Sequence, residues 1–208
     1  LHKIKFFPPT HVSNSLIIQH LARGAFFLPD NFSDLTPSLF KNIASVIDVF
    51  SSLNISKIEV SKYLEDLETS YTKDSLNFEI INTNILKLKR FKNENLTITL
   101  THGDFKFEHL FILNNQLEYL IDWENTGLRS IFFDLLNFFV PWFVNRSYNY
   151  IQIKKYINEF IKTYIPQLNY YIQDKYDLYF CIFVLERYKR IQDARTIKFD
   201  LDAAYKRF

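Results

Sequence analysis

The sequence predicts an α+β fold that is mainly α-helical, with one small central β element. Long stretches place apolar residues at helical spacing and charged residues on the opposite face. Residues 96–101 alternate apolar residues with threonine, as a half-buried strand does. A polar turn at residues 114–116 separates two further apolar runs, which is typical of a hairpin.

The composition limits the class of protein. The 208 residues include 25 Lys and Arg against 23 Asp and Glu, so the net charge is +2, which argues against a nucleic-acid partner. No apolar run reaches the roughly 18 residues of a membrane span, so we expect no membrane partner. Cys181 is the only cysteine and permits no internal disulfide, which indicates the cytoplasm.

Two residue types are scarce. Glycine occurs only at Gly24, Gly103 and Gly127, which excludes the Gly-rich phosphate loops of the Walker and Rossmann types. If a nucleotide binds, other groups must hold it. Methionine is absent even from position 1, so we expect either a fragment of a longer chain or the loss of residues in processing.

The first half of the chain contains two short apolar runs and three helical patterns. Residues 15–21 predict a buried strand, and a second apolar trio follows at residues 25–27. Thr36 and Pro37 are a capping residue and a first-turn residue, and the helical spacing after them extends to Leu53. Residues 56–68 and 76–91 predict two more helices.

In the second half, the strand at residues 96–101 leads directly into His102. The hairpin strands at residues 110–113 and 117–121 lead into Asp122. The predicted helices that follow cover residues 131–143, 150–164 and 168–191. Three acids on the last helical segment are expected to lie at the surface: Asp174, Asp177 and Glu186.

Two acids therefore lie on neighbouring turns of the β element. Phosphoryl transfer needs one carboxylate to orient a substrate hydroxyl and accept its proton, and another to hold the metal that bridges the phosphates of ATP. The kinase template H-R-D-x-x-x-x-N places Asp104 and His109 at its two functional positions. Asp122 then corresponds to the aspartate of D-F-G.

These motifs resemble the aminoglycoside phosphotransferase and choline kinase family, which has a protein-kinase-like fold. The family typically has H-G-D-x-x-x-x-N, then I-D-W-E or I-D-F-D, then an aspartate at an aromatic helix start. The matching segments are residues 102–109, residues 121–124 and residues 133–135. The resemblance implies the C-terminal lobe of that fold: residues 1–28 would be the end of the N-terminal lobe and the hinge, and residues 29–208 the helical C-terminal lobe.

The resemblance also implies roles for single residues. Asp104 would be the catalytic base, Asp122 the principal magnesium ligand and Asp134 a buried acid that braces the catalytic loop. His102 is expected to be structural support for the loop. Lys106 would either contact the transferring phosphate or be a solvated loop lysine.

The cofactors implied are ATP with Mg²⁺ or Mn²⁺. Backbone groups of a hinge segment would meet the adenine, and that segment consists of Ile18, Gln19, His20 and Leu21.

Two features depart from the family pattern. His109 stands where the family has Asn, and an imidazole should weaken Mg²⁺ relative to Mn²⁺ if it is a metal ligand. The phosphate-covering loop, the strand lysine and its glutamate partner of the N-terminal lobe have no counterpart in the chain. Either that lobe precedes Leu1, or the protein is a degenerate relative.

The function predicted from these observations is an ATP-dependent small-molecule phosphotransferase. The acceptor would be a hydroxyl of a sugar, an amino alcohol or an aminoglycoside-like compound, so the expected partners are that acceptor and a nucleotide. A non-catalytic kinase-like binding or regulatory module is the alternative. A metal-dependent hydrolase, built on His102, Asp104, His109 and Asp122, is a third interpretation.

Overall fold

A computed structural model of the protein describes residues 10–13, 16–19, 25–26, 36–68, 78–114 and 116–194. Most of these residues are helical. The helices are α1 (Pro37–Ser51), α2 (Val60–Glu68), α3 (Phe78–Leu88), α4 (Phe133–Asn145), α5 (Tyr150–Tyr164), α6 (Asn169–Ile172) and α7 (Tyr176–Ala194). Single 3₁₀ turns cover Lys89–Phe91, Phe107–His109, Trp123–Asn125 and Pro166–Leu168.

The strands form three small antiparallel sheets. The strands are β1 (Thr10–Ser13), β2 (Leu16–Gln19), β3 (Ala25–Phe26), β4 (Ser56–Glu59), β5 (Asn95–Thr101), β6 (Leu110–Leu113), β7 (Gln116–Leu120) and β8 (Gly127–Ser130). β1 pairs with β2, the second sheet has the order β3-β6-β7, and the third has the order β4-β5-β8. The predicted α+β class, mainly helical with small β elements, is confirmed.

Several predicted elements are found at the predicted residues. Thr36 caps α1 by accepting a hydrogen bond from the Leu39 amide at 3.2 Å, and Pro37 occupies the first turn. The strand after residue 95 and the hairpin of β6 and β7 are also present. α5 has the predicted bounds, and Asn149 and Gln152 form a capping box that fixes its start.

Two predictions in the β region were wrong. Residues 56–59 were expected to begin a helix, but they form β4, because Ser56 pairs with Ile98 and Glu59 with Asn95 on β5. Residues 127–130 were not expected to be a strand, but they form β8 on the other side of β5. Pairing with β5 therefore decides the structure of two segments that are too short to show a period.

The last predicted helix is also interrupted. Residues 168–191 divide into a 3₁₀ turn, α6 and α7, with a break over residues 173–175. Asp174 has a φ of 60° in this break, which is the left-handed conformation that ends a helix.

The buried core lies between the helices and the central sheets, and α4 runs through it. The first eight residues of α4, Phe133 to Val140, and the preceding Phe132 are all buried. Phe138 contacts both Phe105 and Phe107, with ring centroids 4.9 Å and 4.2 Å apart. The loop after β5 is thereby packed onto α4. Across the described residues, no helix has both the length and the apolar character that crossing a membrane requires.

Glu186 connects three elements inside this core, so the expectation that it lies at the surface was wrong. Its carboxylate accepts hydrogen bonds from the backbone amide of Ser130 at 3.3 Å and from the Tyr63 hydroxyl. The Ser130 hydroxyl lies 3.4 Å from the second oxygen. These contacts join α7 to β8 and α2. Burial raises the pKa of Glu186 to about 7, against the opposing effect of the Tyr63 hydrogen bond.

This pKa predicts a pH dependence of stability that Glu186→Gln should remove. A raised pKa in the folded state favours the protonated form, so the contribution of Glu186 is complete below pH 4.5 and is lost as the pH rises through 7. We expect the wild-type free energy of unfolding to fall by about 2 to 3 kcal/mol more between pH 5 and pH 8 than that of the variant. Urea unfolding at both pH values measures this difference.

Glu159→Gln is the matched control, since Glu159 lies exposed on α5. It should keep the wild-type pH dependence. Equal pH dependence of Glu186→Gln and the wild type would contradict the assignment.

Candidate active site

The site is built around the backbone that follows β5. The backbone N–H groups of His102 and Gly103 donate to the two carboxylate oxygens of Asp134, at 2.7 Å and 2.9 Å. Burial raises the pKa of Asp134 to about 6, and the two N–H donors oppose this rise, so the carboxylate is charged at neutral pH. Asp134 lies in the first turn of α4, where the helix N-terminus also favours a negative charge.

A second residue of α4 continues this support. The Asn137 amide donates to the carbonyl of Phe105 at 3.0 Å. Its oxygen accepts from Nη1 of Arg187 at 2.5 Å, so α7 is joined to the same loop. One face of α4 therefore satisfies three backbone groups of the loop between residues 102 and 105.

The His102 ring is buried and bridges the two turns of the site. Its Nε2 donates to the carbonyl of Ile121 at 2.9 Å, and its Nδ1 accepts from the backbone amide of Asp104 at 3.3 Å. Burial lowers the pKa of His102 to about 4, which keeps the ring neutral. These partners assign the proton to Nε2, and they tie the segment before Asp122 to the segment before Asp104.

Gly103 occupies a position that no other residue type fits without strain. Its φ is +83°, and a Cβ atom there would lie 2.0 Å from the backbone oxygen of Asn125. Gly127 has a much less demanding position, because the nearest atom to an added Cβ would be Nη1 of Arg129 at 3.5 Å.

Asp104 is buried between two cations. The Lys106 ammonium donates to Oδ2 at 2.9 Å, and Nη1 of Arg187 lies 3.8 Å from Oδ1. The carboxylate is 7 % exposed, whereas the lysine side chain is 37 % exposed. Asp104 is thus held in one orientation with a narrow opening to solvent.

His109 and Asp122 face each other beside Asp104. Nδ1 of His109 lies 2.8 Å from the carbonyl oxygen of Asp104, and Nε2 lies 3.0 Å from Oδ2 of Asp122. Burial first, and then the Lys106 charge, lower the pKa of His109, so the ring is neutral at neutral pH. A carbonyl can only accept, so the proton is on Nδ1 and the Nε2 lone pair points at the Asp122 carboxylate.

The Nε2 atom of His109 and the Oδ2 atom of Asp122, 3.0 Å apart, are placed so that both could bind one cation beside them. Ligand atoms of Asp104, His109 and Asp122 all lie within 4.8 Å of one another. Two carboxylates and an imidazole are a suitable donor set for a divalent ion such as Mn²⁺, and a less suitable one for Mg²⁺. The residues present therefore fit a divalent cation.

Asp122 has an unusual backbone conformation. Its φ of 66° and ψ of 60° are left-handed, which is uncommon for a residue with a side chain and is concentrated at functional sites. The indole of Trp123 packs against the His102 ring, 4.7 Å between ring centroids, and donates to the Leu120 carbonyl at 2.8 Å. Glu124 is exposed.

The structure describes only two of the four residues of the predicted hinge segment. The backbone of Ile18 and Gln19 lies in β2, where these residues pair with His11 and Thr10 of β1. His20 and Leu21 lie outside the described residues.

Sequence reasoning brought together Asp104, Lys106, His109 and Asp122, and it missed Asn137 and Arg187. Both residues are on helices that were predicted, but no motif marks them. A buried amide in a run of aromatic residues was the available signal for Asn137. Arg187 is far from Asp104 in sequence, and only the packing of α7 reveals its position.

Comparison with known proteins identifies a family. The family model described as the phosphotransferase enzyme family matches residues 53–170, more than half of the chain, including both turns of the site. No curated protein sequence matches the chain significantly.

Solved structures resemble this chain in fold. An amicoumacin kinase, hAmiN, in complex with AMP-PNP, Ca²⁺ and Ami, superimposes with a TM-score of 0.53 at 13 % identity, over 91 % of this chain and 61 % of that protein. The choline kinase LicA from Streptococcus pneumoniae has a TM-score of 0.52 at 15 % identity, over 97 % and 72 %. The chain thus spans about three fifths of the length of the first of these proteins.

Gly103→Ala and Gly127→Ala form a matched pair that tests the loop geometry. We expect Gly103→Ala to lower the free energy of unfolding by about 3 kcal/mol or more. The cost of the left-handed φ and the cost of the contact with the Asn125 oxygen add to each other. Gly127→Ala should change it by less than about 0.5 kcal/mol. Chemical denaturation of both variants measures the difference, and equal losses would contradict the described loop.

Proposed function

The chain belongs to the phosphotransferase enzyme family, and on that premise we propose that it is an ATP-dependent small-molecule phosphotransferase. The observation that supports this most directly is the placement of Asp104 within 4.8 Å of the facing pair His109 and Asp122. A base and a cation site must be neighbours for a hydroxyl to attack a nucleotide phosphate.

Asp104 is the proposed catalytic base. It orients the acceptor hydroxyl and takes its proton while the oxygen forms a bond to the γ-phosphorus of ATP and the bond to the bridging oxygen breaks. The fixed position of its carboxylate supports this role, since correct placement contributes a large part of catalysis in phosphoryl transfer.

Lys106 and Arg187 have different proposed roles. Lys106 is partly exposed and its ammonium can move from Asp104 to the oxygens of the transferring phosphoryl group. Arg187 is less exposed and is bound to Asn137, so it remains beside Asp104 and fixes the orientation of that carboxylate. His102 and Asp134 support the loop that presents the base.

Asp122 and His109 are the residues proposed to hold a divalent cation. A cation bound there would neutralise charge on the phosphate oxygens of ATP. The oxygen of Asp122 is the harder ligand and the nitrogen of His109 the softer one, so the pair favours Mn²⁺ relative to Mg²⁺ compared with an all-oxygen site.

The remaining parts of the proposal concern the nucleotide and the acceptor. We propose that residues 1–28 form the end of an N-terminal lobe and the hinge, and that residues 29–208 form the helical lobe. Backbone groups of Ile18 to Leu21 would bind the adenine. The acceptor is a hydroxyl-bearing small molecule, such as a sugar, an amino alcohol or an aminoglycoside-like compound. The names of the similar kinases, for choline and for amicoumacin, support this class.

Asp104→Asn tests the base directly. We expect turnover with ATP and a panel of amino alcohols, sugars and aminoglycosides to fall by about 10²-fold or more, since general-base assistance is typically worth 10²- to 10⁴-fold. Glu108→Gln makes the same change of charge on an exposed residue of the same loop and should leave turnover nearly unchanged. Wild-type turnover in Asp104→Asn would remove Asp104 from the mechanism.

His109→Asn tests the metal ligands. Replacing the imidazole nitrogen by an amide oxygen makes the site harder, so the ratio of Mg²⁺-supported to Mn²⁺-supported turnover should rise by about tenfold. Mn²⁺ affinity, measured by electron paramagnetic resonance, should fall in the same variant. If both the ratio and the Mn²⁺ affinity stay at wild-type values, Asp122 holds the ion without His109.

A further inference from the structure

A pocket lies between three of the helices. Its volume is about 310 Å³, and it opens between α3, α5 and α7. Its aromatic lining consists of Phe91, Tyr150 and Phe180, and the rings of Tyr150 and Phe180 lie 4.9 Å apart in edge-to-face contact. A cavity of this size lies at the lower end of the range for small-molecule sites.

The pocket is separate from the active site. Asp177 lines the pocket on the first turn of α7, whereas Arg187, ten residues further along that helix, lies beside Asp104. At 1.5 Å of rise per residue, the two positions are about 15 Å apart along the helix axis.

Two cations at the pocket make no direct ion pair or hydrogen bond in the described part of the chain. They are Lys87 and Arg90, which line the pocket and are both exposed. Lys89, between them in sequence, differs in that it pairs with Glu68 at 3.2 Å.

The acid in the lining, Asp177, offsets these two positive charges only in part, through an electrostatic interaction with Lys87. The Asp177 carboxylate already accepts hydrogen bonds from the Lys154 ammonium at 3.1 Å and from the Tyr150 hydroxyl. Burial raises the pKa of the Cys181 thiol, which also lines the pocket, to about 11, so the thiol carries no charge at neutral pH. The lining therefore combines apolar rings with a net positive charge.

We propose that this pocket binds an organic anion that has an aromatic or other apolar body. The rings of Phe91, Tyr150 and Phe180 would contact that body, and Lys87 and Arg90 would bind its carboxylate, sulfonate or phosphate group. A cationic ligand is disfavoured, because it would meet two like charges.

Two fluorescent probes with the same ring system test the proposal. 8-Anilinonaphthalene-1-sulfonate has a negative charge, and N-phenyl-1-naphthylamine lacks it. In fluorescence titrations of the wild-type chain, we expect the sulfonate to occupy one site. In the double variant Lys87→Gln with Arg90→Gln, its affinity should fall by about tenfold or more, since hydrogen bonds to charged groups are the stronger ones. The affinity of the uncharged probe should stay the same.

The double variant Lys89→Gln with Lys92→Gln is the matched control. It removes two positive charges from the same segment, at residues outside the pocket lining, and should not change the affinity of either probe. The proposal is overturned if the sulfonate does not bind, if Lys87→Gln with Arg90→Gln leaves its affinity unchanged, or if both double variants weaken it equally. An equal loss for the uncharged probe would also overturn it. None of these outcomes depends on phosphotransferase activity.

Discussion

The site depends on one requirement: the buried backbone after β5 is not paired within a helix or sheet, so side chains must satisfy its hydrogen bonds. Residues 102–105 turn sharply inside the protein, and an unpaired backbone N–H or carbonyl group there would cost about 1 to 3 kcal/mol. Asp134 and Asn137 satisfy three of these groups, and His102 and His109 satisfy two more within the site itself. The loop is therefore rigid because side chains take the place of secondary structure.

This requirement explains why α4 is buried along its whole first half. A helix that offers Asp134 and Asn137 to the loop must turn the same face toward it, and residues three apart do so. The other faces of α4 then pack against aromatic residues, including Phe105 and Phe107 of the loop itself. The same helix both packs against the loop and forms hydrogen bonds with it, so a substitution on this face of α4 should alter the position of Asp104.

The sequence allowed the capped helices and the hairpin to be predicted from local pattern, and the cluster of Asp104, Lys106, His109 and Asp122 to be predicted from the kinase template and the family resemblance. It did not predict β4 and β8, whose four residues each form strands only by pairing with β5. It also did not predict the position of Arg187 beside Asp104 or the burial of Glu186. Both depend on which face of α7 packs against the rest of the protein. A period of 3.6 residues shows that a helix has a buried face, but not which charged residues that face includes.

The distribution of charge in the site indicates where a bound cation would be stabilised most. Asp104 has Lys106 and Arg187 beside it, and Asp134 receives two backbone N–H groups and the field of Arg129. For Asp122, the facing group in the described structure is the neutral imidazole of His109. Of these three carboxylates, that of Asp122 is therefore the one that protein cations offset least. Its backbone is held in a left-handed conformation. In the proposed function, the buried and paired Asp104 would act as the base and the partly exposed Asp122 would hold the cation, so the two tasks of phosphoryl transfer would fall to the two segments that flank the hairpin of β6 and β7.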